Sequence, residues 1–269
     1  MTLTGVDYIG HDVNLIGAVK RAGHSFAAKY ATNVPGGLDK KWYPDEIAAA
    51  RGVGLDVVMV FETAADRART GGYNGGRFDA TTVYIQWNGL ANVPKDFRCY
   101  FAVDTPVTTT AQMDAVTEYA RGWVSVLGYE RSGVYGSYAV VNHIVGERLV
   151  KYGWQTSAWS GTMLSSWACL YQHGQVSVAG RGMDKNVQVH GANSPADYGG
   201  WYYRGETAPV TAADDVWERV IVNPDSGVHM SAERRLLDME TRLEDVDHKL
   251  YDLDNKLDDI LNLLNPPSM

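Results

Sequence analysis

Cysteine is scarce: Cys99 and Cys169 are the only two in 269 residues. Two thiols with no CxxC and no Cys/His cluster nearby cannot build a disulfide framework or a thiolate metal site, so both read as small buried hydrophobes. No run of about 18 apolar residues occurs, which excludes a membrane-spanning helix. The N-terminus MTLTGVDYIGHD lacks the basic and apolar regions of a secretory leader. The expected site of synthesis is therefore the cytoplasm, with exit by lysis or by another machine. Positive charge is also short, with 24 Lys and Arg against 32 Asp and Glu and a net charge of −8. That balance disfavours the broad phosphate-neutralising surface a nucleic-acid partner requires. Neither GxGxxG nor a P-loop follows any strand-like run, and there is no HExxH and no Asp-rich calcium loop. The stretch GGYNGG at Gly71–Gly76 is too loose for a phosphate cradle and reads as a flexible surface loop.

What is present falls into two materials. All eight Trp lie at or before Trp217, whereas Ser231–Met269 holds 10 acidic and 5 basic residues and one aromatic, Tyr251. The tail thus carries five of the eight net negative charges. In the body, strand-like and helix-like runs alternate. Leu3–Ile9, Ser25–Thr32, Leu55–Glu62, Arg98–Asp104, Gly133–Tyr138, Thr156–Ser160, Ala168–His173 and Gly182–Val189 read as strands. Helices are predicted over Val13–Ala22, Pro44–Arg51, Asp79–Leu90, Thr110–Leu127 and Val141–Tyr152. Eight strands with intervening helices imply an α/β protein whose parallel sheet closes into a (β/α)8 TIM-type barrel, followed by a C-terminal helical coiled coil. An open doubly wound sheet is the alternative, and it lacks its usual phosphate-binding turn.

In such a barrel the residues ending each strand converge on one mouth. Asp7, Glu62, Asp104 and Asp184 would bring four carboxyls there, with Tyr30, Tyr135, Ser137, Trp159 and Gln172 beside them. An acid at a strand end is often just a helix cap, but four together repel and raise one another's pKa, which costs stability unless the cluster is used. Carboxyls flanked by aromatic faces suit glycoside hydrolysis, in which one acid protonates the leaving oxygen and another carboxylate attacks or stabilises the oxocarbenium ion. The same cleft without catalysis would serve as a lectin-like glycan site. A third arrangement has Asp7, Asp104 and Asp184 holding Mg²⁺ or Ca²⁺, although no cofactor or metal is expected. His11, His173 and His190 read as surface or supporting histidines.

The motifs GVDYIG, KYAT, FET, YFAVDTPV, GVYGSY, LYQH and MDKNV, in that order, resemble the glycoside-hydrolase-like barrel domain of actinobacterial proteins and their phages. That domain is related to the family 25 glycoside hydrolases, lysozymes that cleave peptidoglycan. The resemblance covers residues 1–205 and implies a barrel acting on bacterial cell-wall glycan. In the lysozymes the fourth strand ends in Asp-x-Glu, with the Glu as general acid, and Asp residues on the first and last strands complete the site. Here Asp104, Asp7 and Asp184 match, but Pro106 occupies the Glu place, and proline donates no proton. Glu62 is then the expected acid, Asp104 the nucleophile or stabiliser, and Asp7 and Asp184 the groups that orient sugar and water.

After a linker over 206–230, Leu236, Met239, Leu243, Val246, Leu250, Leu253, Leu257, Ile260 and Leu264 follow a 3,4 spacing without a break. This heptad seam predicts a coiled coil over 231–265, ended by Asn265-Pro266-Pro267. Leu at a, with β-branched residues at two d positions, disfavours a dimer and points to trimers or tetramers, a homotrimer first. A barrel on an oligomerising stalk suggests a phage minor tail protein that meets the host envelope alongside other tail proteins, or else a free endolysin.

Overall fold

A computed structural model describes residues 2–33, 39–201, 221–222 and 229–230 of the chain. The chain divides into two units, Met1–Pro209 and Val210–Met269. Within the second, Ile221–Val222 and His229–Met230 pair antiparallel. The predicted coiled coil lies outside the described residues.

The first unit is a closed eight-stranded barrel. Its strands are β1 (Thr4–Asp7), β2 (Phe26–Tyr30), β3 (Asp56–Phe61), β4 (Cys99–Ala102), β5 (Ser132–Gly136), β6 (Tyr152–Thr156), β7 (Ala168–Val178) and β8 (Arg181–Gln188). Strands β1 to β7 pair in parallel, each with the next. β8 runs the other way and closes the barrel antiparallel to both β7 and β1. This departs from the eight parallel strands expected of a (β/α)8 barrel. The cause is local: Ala179 and Gly180 both adopt positive φ, 51° and 79°, the geometry of a two-residue hairpin turn. A hairpin can join only antiparallel neighbours, so no crossover helix separates β7 from β8.

The helices are α1 (Val13–Arg21), α2 (Pro44–Val53), α3 (Arg67–Thr70), α4 (Gly72–Trp87), α5 (Thr110–Leu127) and α6 (Tyr138–Gly146). Each start has a chemical reason. Asp12 caps α1 by accepting from the Asn14 and Leu15 amides, Pro44 opens α2, and Thr109 forms a capping box with Gln112 at the head of α5. α2 runs two residues past its predicted end, to a left-handed cap at Gly54.

The GGYNGG stretch corrects the expectation of a loop, since it forms the first turns of α4. A Cβ on Gly76 would stand 2.0 Å from the Tyr119 carbonyl oxygen, and one on Gly122 would stand 1.9 Å from that of Tyr73. The glycines let α4 and α5 cross backbone to backbone. The sixth strand is likewise displaced. α6 ends at Gly146 and β6 occupies Tyr152–Thr156, four residues earlier than predicted.

Side chains alternate across the barrel wall. One cluster faces the surrounding helices and contains Ala27, Val57, Met59, Phe61, Phe101, Val134 and Trp123. The other fills the lumen in rows, with Phe26, Val58, Tyr100 and Tyr152 below Ala28, Val60, Ala102 and Trp154. Tyr198 plugs the floor, its hydroxyl donating to Asp56 Oδ2 while its carbonyl accepts from Tyr100. Both cysteines are free and buried, as expected. With the lumen packed and its floor sealed, access is left at the opposite end.

Candidate active site at the mouth of the barrel

The inward alternation that places Val58 and Val60 in the lumen carries Glu62 to the mouth, one residue beyond β3. The same alternation places Tyr30 above Ala28 and Asp104 above Ala102. Asp7 ends β1. Because β8 is reversed, Asp184 reaches the mouth from near the beginning of its strand and pairs with Asp7 in register. Asp7, Tyr30, Glu62, Asp104, Tyr135, Gln172 and Asp184 line one cavity of about 190 Å³, whose wall includes Trp154. At roughly 30 Å³ per water, that is room for about six waters, a space for one ring-sized group. An extended chain would have to lie across the rim.

Two residues expected at the mouth do not line it. Ser137 is 2% exposed and caps α6 through the Val140 amide. Trp159 follows β6, sits at a φ of 55° and is 48% exposed outside the cavity. The four-residue displacement of β6 explains the exchange, since the tryptophan that enters the lumen is Trp154. Asn186 is the second residue that the sequence reading passed over. It stands two positions beyond Asp184 on β8, so the alternation of the MDKNV motif was a sufficient signal.

Asp7 is the most constrained acid. Its Oδ2 accepts from Asn186 Nδ2 at 2.6 Å and from Gln172 Nε2 at 2.9 Å. Trp154 Nε1 donates to Asn186 Oδ1 at 2.9 Å, and the Tyr135 hydroxyl donates to Gln172 Oε1 at 2.7 Å. Burial pushes the Asp7 carboxyl up to about 7, against the two amide donors and helped by the charges of Asp184 and Asp104. Burial also raises Glu62, where the Tyr30 hydroxyl and the charge of Lys40 oppose it and Asp104 adds to it. Asp104 is raised by burial and held back by Lys40. Tyr30 is itself pushed well up, by burial and by the neighbouring Glu62. Burial thus raises Asp7, Glu62 and Asp104 alike, each against different neighbours.

Lys29 borders the cavity, but its ammonium points away from it. It donates to Glu46 Oε2 at 2.5 Å and to the Gly10 carbonyl at 2.8 Å, with both charged side chains fully buried. Glu46 in turn accepts from the Asp12 and Tyr43 amides, tying the loop after β1 to the start of α2. Arg69 donates to the Pro106 carbonyl and fixes the loop after Asp104. Among the described residues no three His, Cys, Asp or Glu side chains form a group able to hold a metal, so Asp7, Asp104 and Asp184 do not make the cation site considered above. The histidines find neighbours elsewhere, with His11 paired to Asp45 at 2.9 Å and His173 stacked on Tyr171.

Similarity to known proteins agrees with this architecture. The Tat-secreted protein Rv2525c of Mycobacterium tuberculosis, crystallised with HEPES and with L-tartrate, superposes with a TM-score of 0.63 at 25% identity, covering 74% of this chain and 98% of that one. The curated Rv2525c sequence, named as a candidate peptidoglycan hydrolase, is 26% identical over 144 residues, 51% of this chain and 59% of the relative. The chain therefore spans about three-fifths of that relative's length. The spore cortex lytic enzyme SleM of Clostridium perfringens shares the fold, with a TM-score of 0.50 at 14% identity over 70% of this chain and 67% of that one. Residues 17–204 match the model of the Rv2525c-like, glycoside hydrolase-like domain. That match spans most of the chain, and with it this protein belongs to the Rv2525c-like family of glycoside hydrolase-like domains.

Proposed function

We propose that the protein hydrolyses a glycosidic bond of bacterial cell-wall peptidoglycan at the mouth of its barrel. The observation that carries this reading is the acid cluster, in which Asp7, Glu62, Asp104 and Asp184 share a cavity walled by Tyr30, Tyr135 and Trp154. Glycoside hydrolysis needs one protonated carboxyl at the leaving oxygen and one carboxylate facing the anomeric carbon. Glu62 and Asp104 follow neighbouring strands, Glu62 is raised by the charge of Asp104, and both face Lys40. They supply the negative charge for the oxocarbenium ion. The aromatic side chains offer faces on which a sugar ring stacks. The name of the Mycobacterium tuberculosis relative supports peptidoglycan as the substrate class.

Release of reducing ends from purified mycobacterial peptidoglycan tests the reading. Wild type releases them, and Glu62→Gln is expected to lower the rate about 100-fold or more, the scale of a lost acid–base or electrostatic group. Equal rates in both would remove Glu62 from the mechanism.

A second reading rests on Pro106. It stands where the related lysozymes carry their acid, and a barrel deprived of that acid can keep its cleft as a glycan-binding module. Sedimentation with peptidoglycan, without release of reducing ends at any pH, would favour it. The heptads over 236–264 extend both readings. We propose a homotrimeric stalk that presents several barrels to a repetitive wall and gains by avidity, as in a phage tail protein or an endolysin that reaches the wall in a virion or after lysis.

A further inference from the structure

Beyond Asp7 and Ala28 the pairing of β1 with β2 ends, and a short extended segment, residues 39–42, takes the place beside Tyr30. The Gly10 amide donates to the Asp39 carbonyl, the Tyr30 amide to that of Lys40, and the Trp42 amide to that of Tyr30. The segment is thus tied to the ends of both strands. An extended backbone sends successive side chains to opposite faces, so the two adjacent lysines part. Lys41 lies over the Tyr43 ring at 4.9 Å, on the outside, whereas the Lys40 ammonium stands 4.8 Å from the centre of the Tyr30 ring. Tyr30 lines the cavity, so Lys40 is at its rim. Neighbouring cations are bonded elsewhere: Lys29 to Glu46 and Gly10, and Arg181 to Asp12 and the Ile9 carbonyl. The Lys40 ammonium has no hydrogen bond and no ion pair among the described residues, although it faces Glu62 and Asp104. A lysine that served only to offset those carboxyls would gain by closing onto one of them. Held instead by the face of Tyr30, it keeps N–H donors uncommitted at the entrance.

We infer that Lys40 is a specificity residue, whose ammonium pairs with a carboxylate carried by the sugar ring that enters the cavity. The cavity has room for one ring, so a substituent on that ring projects to the rim. A mouth lined by four acids repels an anionic substituent unless a cation meets it there. Lys40 is placed to do so, and acidic sugars are then preferred over neutral ones of the same shape. This use of Lys40 rests on the glycan reading of the mouth, but not on hydrolysis. It also says what acts earlier. Where a stem peptide is attached, the lactyl carboxyl on the ring is an amide and carries no charge. Water added across that amide bond leaves the carboxylate on the sugar and the amine on the peptide. The reaction that supplies the preferred substrate is therefore an amide hydrolysis that strips peptide from glycan.

The test measures binding to the full chain by ligand-observed NMR, beside the reducing-end assay. The probes are N-acetylmuramic acid, its methyl ester, and a muramyl dipeptide whose one carboxylate ends the peptide. Wild type is expected to bind the acid about tenfold more tightly than the ester, the scale of one charge-assisted hydrogen bond. Lys40→Gln should bring the two within about twofold, and Lys40→Arg should keep most of the preference. Lys41→Gln removes the same charge from the outward neighbour and should keep the wild-type ratio. The proposal is overturned if wild type does not distinguish acid from ester, if Lys40→Gln weakens both equally, or if Lys41→Gln abolishes the preference as well. A Lys40-dependent preference for the dipeptide over the acid overturns the placement of the carboxylate on the ring. The expected preference with no reducing ends released upholds Lys40 and overturns the hydrolase reading. Reducing ends released without any preference for charge do the reverse.

Discussion

A carboxyl held up to about 7 links stability to pH in a definite direction. Between pH 4 and 7 the folded chain keeps the Asp7 proton while the unfolded chain has lost it, so this group makes the protein less stable as pH rises through that window and adds no further change above it. Asp7→Asn removes the effect. We predict a melting temperature for Asp7→Asn above wild type at pH 8 by the equivalent of about 2 to 4 kcal/mol, converging with wild type near pH 4, alongside loss of activity. The buried Lys29–Glu46 pair behaves in the opposite sense on mutation. Lys29→Met leaves Glu46 buried without its cation, and urea titration should show a loss of about 3 to 5 kcal/mol, since stripping one partner costs far more than the intact pair contributes. The sequence made the acids at the mouth legible because Asp7, Glu62 and Asp104 stand at or near the ends of strand-like runs and Asp184 lies on the last one. Pattern reading passed over Asn186, a neutral amide among charged residues, although its place two positions beyond Asp184 put it on the same face.

At the scale of elements, the crossing of α4 and α5 sets intrinsic preference against packing. Alanine is favoured over glycine inside a helix by about 1 kcal/mol. The methyl of Gly76→Ala or Gly122→Ala would nevertheless meet a carbonyl oxygen near 2 Å. Overpacking of this kind costs about 3 kcal/mol, so thermal melts of either variant should show net destabilisation by about 2 kcal/mol. The hairpin offers the reverse case. Ala179 pays for a left-handed backbone that Asn or Gly adopts readily, and Ala179→Gly should raise stability by about 1 kcal/mol without touching the mouth. These two elements also show where pattern reading succeeds and fails. α5 could be drawn from Thr110 to Leu127 because its capping residues and apolar stripe agree. The glycines of GGYNGG, by contrast, signal a loop locally and serve a helix contact that only the fold discloses. β6 was misplaced because Tyr152–Ser160 mixes aromatic and polar residues with no turn residue to mark where the strand ends, and Trp159 was carried to the mouth in place of Trp154.

For the whole molecule, the count of eight strands and their closure followed from the alternation of elements, while the direction of the last strand hung on a turn at Ala179-Gly180. The heptads over 236–264 make a separate prediction. Multi-angle light scattering of the full chain is expected to give three times the monomer mass, and Leu243→Asp with Leu250→Asp should return a monomer that keeps its barrel. A monomeric wild type would remove the stalk from the proposal.

The closing hairpin has a consequence for synthesis. β1 emerges first from the ribosome, yet its second neighbour, β8, is complete only at Gln188, and the Tyr198 plug follows ten residues later. Until then the nascent chain is an open sheet with two bare edges and an unplugged floor. Asp7 waits equally long for Gln172 and Asn186, the partners that orient it. A chain released before β8 therefore carries Asp7, Glu62 and Asp104 but lacks Asp184 and the Asn186 amide that orients Asp7. Truncated products should be aggregation-prone and chemically silent.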